Sequence, residues 1–334
     1  MMKNRKKLAI ILIVCGVLLF ATGITSALLL NTKVKNDKTV DLYIYPASSY
    51  EEVLKQLKEK GVLEGTGVFS FFTKALSDKE TFRSGHYTVQ PKASQLELAK
   101  QLVRGLQTPV KLVIGKVRTQ EELAEKMAKQ LMISPADIGN AILKTENSSN
   151  IFDDIVPNTY EVYWNIGAEQ LLQRLKMESD KWWSGKGEQL KRLGLSRHEA
   201  VVLASIVEEE TNKNEEKPII AGVYVNRLRR GMLLQADPTV KYAVGDFAIK
   251  RVMYKHLQTD SPYNTYMYKG LPPTAICLPE QSSLNAVLGY AEHNYVFFCA
   301  KDDFSGYHNF AETSAEHYAN ADRYRAALNR EGIK

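Results

Sequence analysis

The sequence predicts an α+β protein with a single amino-terminal transmembrane helix, a small α+β domain and a larger mixed α/β core. Three observations predict it. Residues 8–30 form an unbroken apolar run, short strand-like segments alternate with capped helices between residues 39 and 117, and an apolar helix near residue 200 precedes several polar, turn-rich loops. A chain of 334 residues, 44% apolar and 25% charged, has the composition of a folded protein and the length for one large or two modest domains. Its 3 cysteines exclude a disulfide-stapled miniprotein, and its apolar content excludes a disordered chain.

The run LAIILIVCGVLLFATGITSALLL carries no charge. As a helix it spans roughly 34 Å, enough to cross a bilayer. It is longer than the about 7–15-residue apolar core of a cleaved signal peptide, so an anchor embedded in membrane lipid is expected over residues 8–30. Lys3, Arg5, Lys6 and Lys7 precede it. The positive-inside rule then leaves residues 1–7 in the cytoplasm and the other ~300 residues outside the cell (inner) membrane, in a periplasmic or extracellular setting. The whole chain is +6, but without its first 30 residues 40 basic side chains face 38 acidic ones, a net +2. The basic excess belongs to topology, and no clustered basic face marks a nucleic-acid partner. Cys15 falls in the span. Cys277 and Cys299 would meet an oxidising compartment, where they either pair or sit apart as small apolar thiols.

Residues 31–38 (NTKVKNDK) are polar and aperiodic and read as a tether. Beyond them a local design recurs: PASSYEEVLKQL from Pro46 and PKASQLELAKQL from Pro91 align at an offset of 45. Each opens with a capping-box pattern, Ser49 with Glu52 and Ser94 with Glu97, in which the hydroxyl takes a free backbone N–H and the carboxylate reaches back. Thr119 with Glu122 repeats it. Short strands at 40–45, 86–90 and 110–117 precede these helices. The arrangement over residues 39–110 resembles a LysM-like domain, a small fold associated with N-acetylglucosamine-containing glycans.

Residues 111–195 are expected to connect this domain to the core. They hold a helix over 120–131, a turn-rich stretch at 146–149, the segment IVPNTYEVYW and a long helix over 167–192. Trp182 and Trp183 in that helix suit packing better than a sugar site. The sequence shows neither a phosphate-cradling glycine loop nor a Cys/His zinc spacing, so no cofactor and no metal is expected.

The most informative helix begins with a further capping box, Ser196 with Glu199, and reads EAVVLASIVEEET over 199–211. Its end carries Glu208, Glu209 and Glu210. Negative groups there face the negative pole of the helix dipole and one another, an arrangement that costs several tenths of a kcal/mol per group. Helical spacing puts Glu210 on the face of Leu203, Ile206 and Val207, the most apolar of the three settings. A carboxyl desolvated there beside like charges has a raised pKa, which suits a general acid. Downstream come an apolar helix carrying Asn226 and Arg227, then Gln235-Ala-Asp237-Pro-Thr239, SPYNTY at 261–266 and GLPP at 270–273. Loops dense in amide, hydroxyl and aromatic groups suit sugar hydroxyls and pyranose faces.

In this order LASIVEEET, AGVYVNRLRRGMLLQADPTVKYAVG, DSPYNTYMYKGLPPTAI and GYHNFAETSAEHYA resemble the YceG/MltG family, the membrane-anchored endolytic murein transglycosylases. The resemblance runs from the anchor to about residue 325 and implies a catalytic core over 196–334. It implies cleavage of the β-1,4 bond between N-acetylmuramic acid and N-acetylglucosamine in peptidoglycan strands, leaving 1,6-anhydro-muramoyl ends. It places the single acid/base at Glu210, with Glu208 in reserve, and makes Gln235, Asp237, Thr239, Tyr263, Asn264 and Tyr266 candidates for orienting the substrate. Peptidoglycan strands are the implied partner and cell-wall synthases a further one. Two departures stand out: Glu209 replaces the usual Lys of the SIVEKE-type helix, and GKVRT at 115–119 stands where an EGxT-like turn is expected. Two other readings compete. A two-carboxylate muramidase would need a second acid about 5–9.5 Å from the first, for which Asp237 is the candidate. A non-catalytic glycan-binding scaffold would act through the LysM-like part. His308, Glu316 and His317 suggest a metal site weakly, since the last two are neighbours pointing to different faces.

Overall fold

The computed structural model describes residues 2–77, 81–145, 148–249 and 251–332. Its mixture of helix and short strands is the α+β class expected from the sequence. The first helix, α1 (Met2–Leu30), includes Leu12–Leu30, 19 residues of mean hydropathy 2.3, long and apolar enough to cross a membrane. The chain divides into two compact units. One holds residues 1–111 with 161–165, the other 112–160 with 166–334.

In the first unit β1 (Val40–Ile44) pairs antiparallel with β2 (Gly85–Val89), Val40 opposite Val89 and Ile44 opposite Gly85. Alternation along β1 turns Leu42 and Ile44 inward and Asp41, Tyr43 and Tyr45 outward. Three helices, α2 (Tyr50–Glu59), α3 (Gly67–Leu76) and α4 (Gln95–Arg104), close a core of Leu42, Leu57, Phe69, Tyr87, Leu98 and Leu102. At α2 both halves of the Ser49–Glu52 capping box form. At α4 Ser94 accepts from Leu96 N, and the return bond from Glu97 is absent. Residues 32–34 run along that turn instead, with Gln95 N donating to the Thr32 carbonyl and Lys33 bridging to Ser94. The segment 31–38 is therefore tied into the unit through its one pattern-free apolar residue: Val34 is buried, and Asn36 donates to the Val89 carbonyl at 3.2 Å.

The chain continues through β3 (Val110–Ile114), α5 (Gln120–Ala128), α6 (Pro135–Leu143), a 3-10 segment (Ser148–Asp154) and β4 (Asn158–Val162). Glu146 and Asn147, of the expected turn at 146–149, lie outside the described residues. The helix expected over 167–192 is two, α7 (Ala168–Trp183) and α8 (Gly187–Leu193). They break where Gly185 and Gly187 weaken helix propensity by about 1 kcal/mol each. Trp183 is buried with the Arg197 guanidinium 5.5 Å from its ring, and the Lys186 ammonium lies 4.3 Å from Trp182.

The core of the second unit is α9 (Arg197–Glu210), buried from Ala200 to Glu208 and started by the complete Ser196–Glu199 capping box. It packs on α10 (Lys217–Arg229), α11 (Asp237–Val244) and α13 (Gln281–Leu288), with the single turn α12 (Tyr254–Leu257) beside α11. A hairpin of β5 (Phe297–Ala300) and β6 (His308–Ala311), registered Phe297 to Ala311 and Ala300 to His308, is covered by α14 (Ser314–Arg330). Asn226 links α10 to the approach of this hairpin, its amide donating to the carbonyls of His293 at 2.7 Å and Tyr295 at 3.0 Å.

Gly222 lets α10 come close to this approach: a Cβ there would stand 2.4 Å from the Ala291 carbonyl oxygen and 2.6 Å from His293 Nε2. Alanine gains about 1 kcal/mol of helix propensity, but overpacking against fixed backbone costs about 1–3 kcal/mol. Gly222→Ala is expected to lower the urea midpoint of the second unit. An unchanged or higher midpoint would show that this contact yields freely.

Candidate active site

The three carboxylates that end α9 meet three different surroundings. Glu208 is buried, and its Oε2 accepts from Lys217 Nζ at 3.1 Å, Ser283 Oγ at 2.5 Å and Glu280 N at 3.3 Å. It joins α9 to the starts of α10 and α13 and is fully engaged. Glu209 meets Lys116 Nζ at 2.7 Å and Arg118 Nη2 at 3.2 Å. Burial pushes its pKa up, but the Lys116 hydrogen bond and the charges of Lys116 and Arg118 outweigh it and leave the carboxyl below its ordinary value. The two departures noted in the sequence, an acid at 209 and bases at 116 and 118, are thus one ion-pair cluster.

Among the described residues Glu210 receives a single hydrogen bond, from the Tyr224 hydroxyl to Oε1 at 2.5 Å. It is half-buried at the end of α9, and burial is the largest influence on its pKa, pushing it up. The Tyr224 bond pulls it down, the charge of Asp237 raises it, Lys241 lowers it and Glu209 raises it, leaving a value of about 7. Tyr224 lies within α10 and is buried; desolvation first, and then the charge of Glu210, hold its own pKa well above the usual phenol value, so it remains a donor. Nothing in the residue pattern of α10 marks Tyr224, and its role emerges only from the packing of α10 on α9.

Glu210 and Tyr224 line a cavity of about 460 Å³, to which Arg227, Gln235, Asp237 and Tyr266 also contribute. Gln235 has a left-handed backbone, φ 53°, and its N–H donates to the Thr265 carbonyl at 3.1 Å. Asp237 accepts from the Tyr266 hydroxyl at 2.6 Å. Burial, then the hydrogen bond to Asp237, keeps Tyr266 protonated far above neutrality. Of the predicted substrate residues, then, Gln235, Asp237 and Tyr266 join Glu210 at the cavity. The other three hold the loops behind it. Thr239, fully buried, donates to the Ala236 carbonyl at 2.7 Å and bonds the Thr265 hydroxyl at 2.8 Å. Asn264, also fully buried, donates to the carbonyls of Leu257 and Thr259, while Tyr263 pairs through its hydroxyl with Thr274 at 2.7 Å.

The opposite wall comes from the hairpin and α14: Phe297, Phe298, Cys299, His308 and His317. His308 Nδ1 lies 2.8 Å from buried Glu216, Glu316 closes the capping box of α14, and His317 stacks on Phe297 at 5.1 Å. The three residues weighed as a metal site therefore have separate engagements. Cys277 is buried and Cys299 borders the cavity, both as free thiols.

Neighbouring glutamates are expected to respond to neutralisation with opposite signs. The folded-state pKa of Glu210, about 7, lies above its ordinary 4.5. The folded chain thus holds an extra proton between those values and loses stability as pH rises through them. Glu210→Gln should be more stable than the parent by about 3 kcal/mol at pH 8, with the difference vanishing near pH 4. Glu208→Gln leaves buried Lys217 without its counter-ion and should lose about 3–5 kcal/mol at pH 8. Chemical denaturation at both pH values checks the pair; a Glu210→Gln protein no more stable at pH 8 than at pH 4, relative to the parent, would contradict the assignment.

The sequence profile of the YceG-like family matches residues 42–323. The endolytic murein transglycosylase of Bacillus subtilis is 28% identical, over 90% of this chain and 89% of that protein. The protein of the same name from Streptococcus pneumoniae serotype 2 is 26% identical over 90% of this chain, which spans 61% of that longer relative. Among solved structures, a yceG-like protein from Listeria monocytogenes superposes with a TM-score of 0.56 at 28% identity, covering 85% of this chain and 99% of that one. With 282 consecutive residues under the profile, the chain belongs to the YceG-like family.

Proposed function

We propose that this protein is an endolytic murein transglycosylase, anchored by α1 with its amino terminus in the cytoplasm and the residues that follow α1 on the outer side of the membrane. The observation that carries the reading is Glu210: a carboxyl with a pKa of about 7, in the wall of a cavity, held by one phenol. It supports a general acid that is protonated at neutral pH. Cell-wall synthases on the same side of the membrane are the partners this placement implies, and residues 39–110 are a second glycan contact.

With Tyr224 donating to Oε1, Oε2 carries the transferable proton. It passes to the glycosidic oxygen as the bond to the muramoyl C1 breaks, and the sugar's own acetamido oxygen stabilises the cationic carbon in place of an enzyme nucleophile. The Glu210 carboxylate then takes the proton of the C6 hydroxyl, whose oxygen closes on C1. One carboxyl serves both steps and returns to its starting state. Gln235 and Tyr266 line the cavity and orient sugar amide and hydroxyl groups. Thr239, Tyr263 and Asn264 act behind them, by fixing the loops.

Asp237 in the same cavity keeps a two-carboxylate muramidase as the second reading. The full-length chain is to be incubated with purified sacculi and its soluble products weighed by mass spectrometry. Terminal muramoyl sugars lighter by one water are expected, with release falling at least about 100-fold in Glu210→Gln. Products with reducing ends would support the muramidase, and undiminished release by Glu210→Gln would remove the acid assignment.

A further inference from the structure

Arg227, in the last turn of α10, is 7% exposed and borders the same cavity as Glu210. Its guanidinium is held rigidly. Nε donates to the Val296 carbonyl at 2.6 Å, and Nη1 donates to the carbonyls of Leu233 at 3.0 Å and Leu234 at 2.9 Å and to Gln235 Oε1 at 3.1 Å. The plane lies 5.2 Å from the Phe297 ring. These partners are all neutral. Among the described residues no carboxylate stands within ion-pair distance of Arg227, and no acceptor takes a hydrogen from Nη2.

A buried cation without a counter-ion is expensive, several kcal/mol after relaxation, and a purely structural arginine is normally matched by an acid. Here the neutral acceptors take Nε and Nη1 and leave the Nη2 edge of a preformed donor fork at the cavity. The left-handed backbone of Gln235, whose side chain Arg227 grips, adds strain of order 1 kcal/mol that fixes this wall. Such an edge accepts a substrate oxygen, and most strongly one that carries negative charge.

Accepting the transglycosylase reading, on which this step rests, the substrate alternates two sugars that share the acetamido group. They differ in the lactyl ether on C3 of the muramic residue. We infer that Arg227 Nη2 receives an oxygen of that lactyl group, the carboxylate where the stem peptide is gone and the amide carbonyl where it is present. Arg227 then decides which of the two alternating bonds reaches Glu210. It is a specificity residue and takes no proton.

N-acetylmuramic acid and N-acetylglucosamine differ by the lactyl ether alone. Ligand-detected NMR on the unmutated full-length chain compares their binding without risk of misfolding, and solubilisation of sacculi is followed separately. At least tenfold tighter binding of the muramic sugar is expected, with the difference lost in Arg227→Lys protein whose melting curve stays cooperative. Equal binding of the two sugars, or an undiminished preference in Arg227→Lys, would overturn the inference. If sacculi are still converted to anhydro-ended products, that result leaves the activity standing. If the muramic sugar is preferred but sacculi are not cleaved, the failure lies with the catalytic reading.

Discussion

Three adjacent carboxylates at the carboxyl end of a buried helix cannot all be ionised without partners, and the second unit is organised around that constraint. The helix dipole and mutual repulsion both disfavour charge there. Glu208 is answered by Lys217 and by donors at the start of α13, which ties three helices together at one point. Glu209 is answered by Lys116 and Arg118, which brings the segment after β3 against the end of α9. Glu210 is given one phenol and is partly desolvated in the cavity wall, with Asp237 in the same wall. It is therefore the carboxyl for which the proton is a better partner than any side chain nearby, and it faces the cavity.

How legible this was depended on whether the cause was local. Glu210 was singled out from offsets along its own helix, and the structure puts that carboxyl in the cavity wall. The engagement of Glu208 was not, since Lys217 and Ser283 come from other helices. The residues at 115–119 looked like a departure from the expected turn, and Glu209 like another; only their pairing makes sense of both. Of the loop residues chosen for their hydroxyl and amide groups, Gln235, Asp237 and Tyr266 reach the cavity, while Thr239, Tyr263 and Asn264 brace it. Composition cannot separate these two uses, because a polar loop needs internal hydrogen bonds before it can present any to a ligand. Arg227 was visible as a charge on an apolar helix, without any sign of what faced it.

The fold shows the same division. The capped helices α2 and α9 were readable because Ser49 with Glu52 and Ser196 with Glu199 act within one turn. The short apolar helix α3 has no side-chain cap bond and depends on the core it covers. The polar segment at 31–38 looked free, yet it is drawn in by backbone pairing along α4, which leaves no trace in residue pattern. The break between α7 and α8 was missed by the expectation of one helix over 167–192, although Gly185 and Gly187 stand where it occurs.

The central claim is that desolvation, held in check by Tyr224, keeps Glu210 protonated near neutral pH. Titrating the full-length chain with ¹³C-carboxyl-labelled glutamate tests this most directly. One glutamate resonance is expected to titrate with a midpoint of about 7, to be missing from Glu210→Gln and to move to higher pH in Tyr224→Phe. A Glu210 midpoint in the ordinary range, about 4–5, would contradict it.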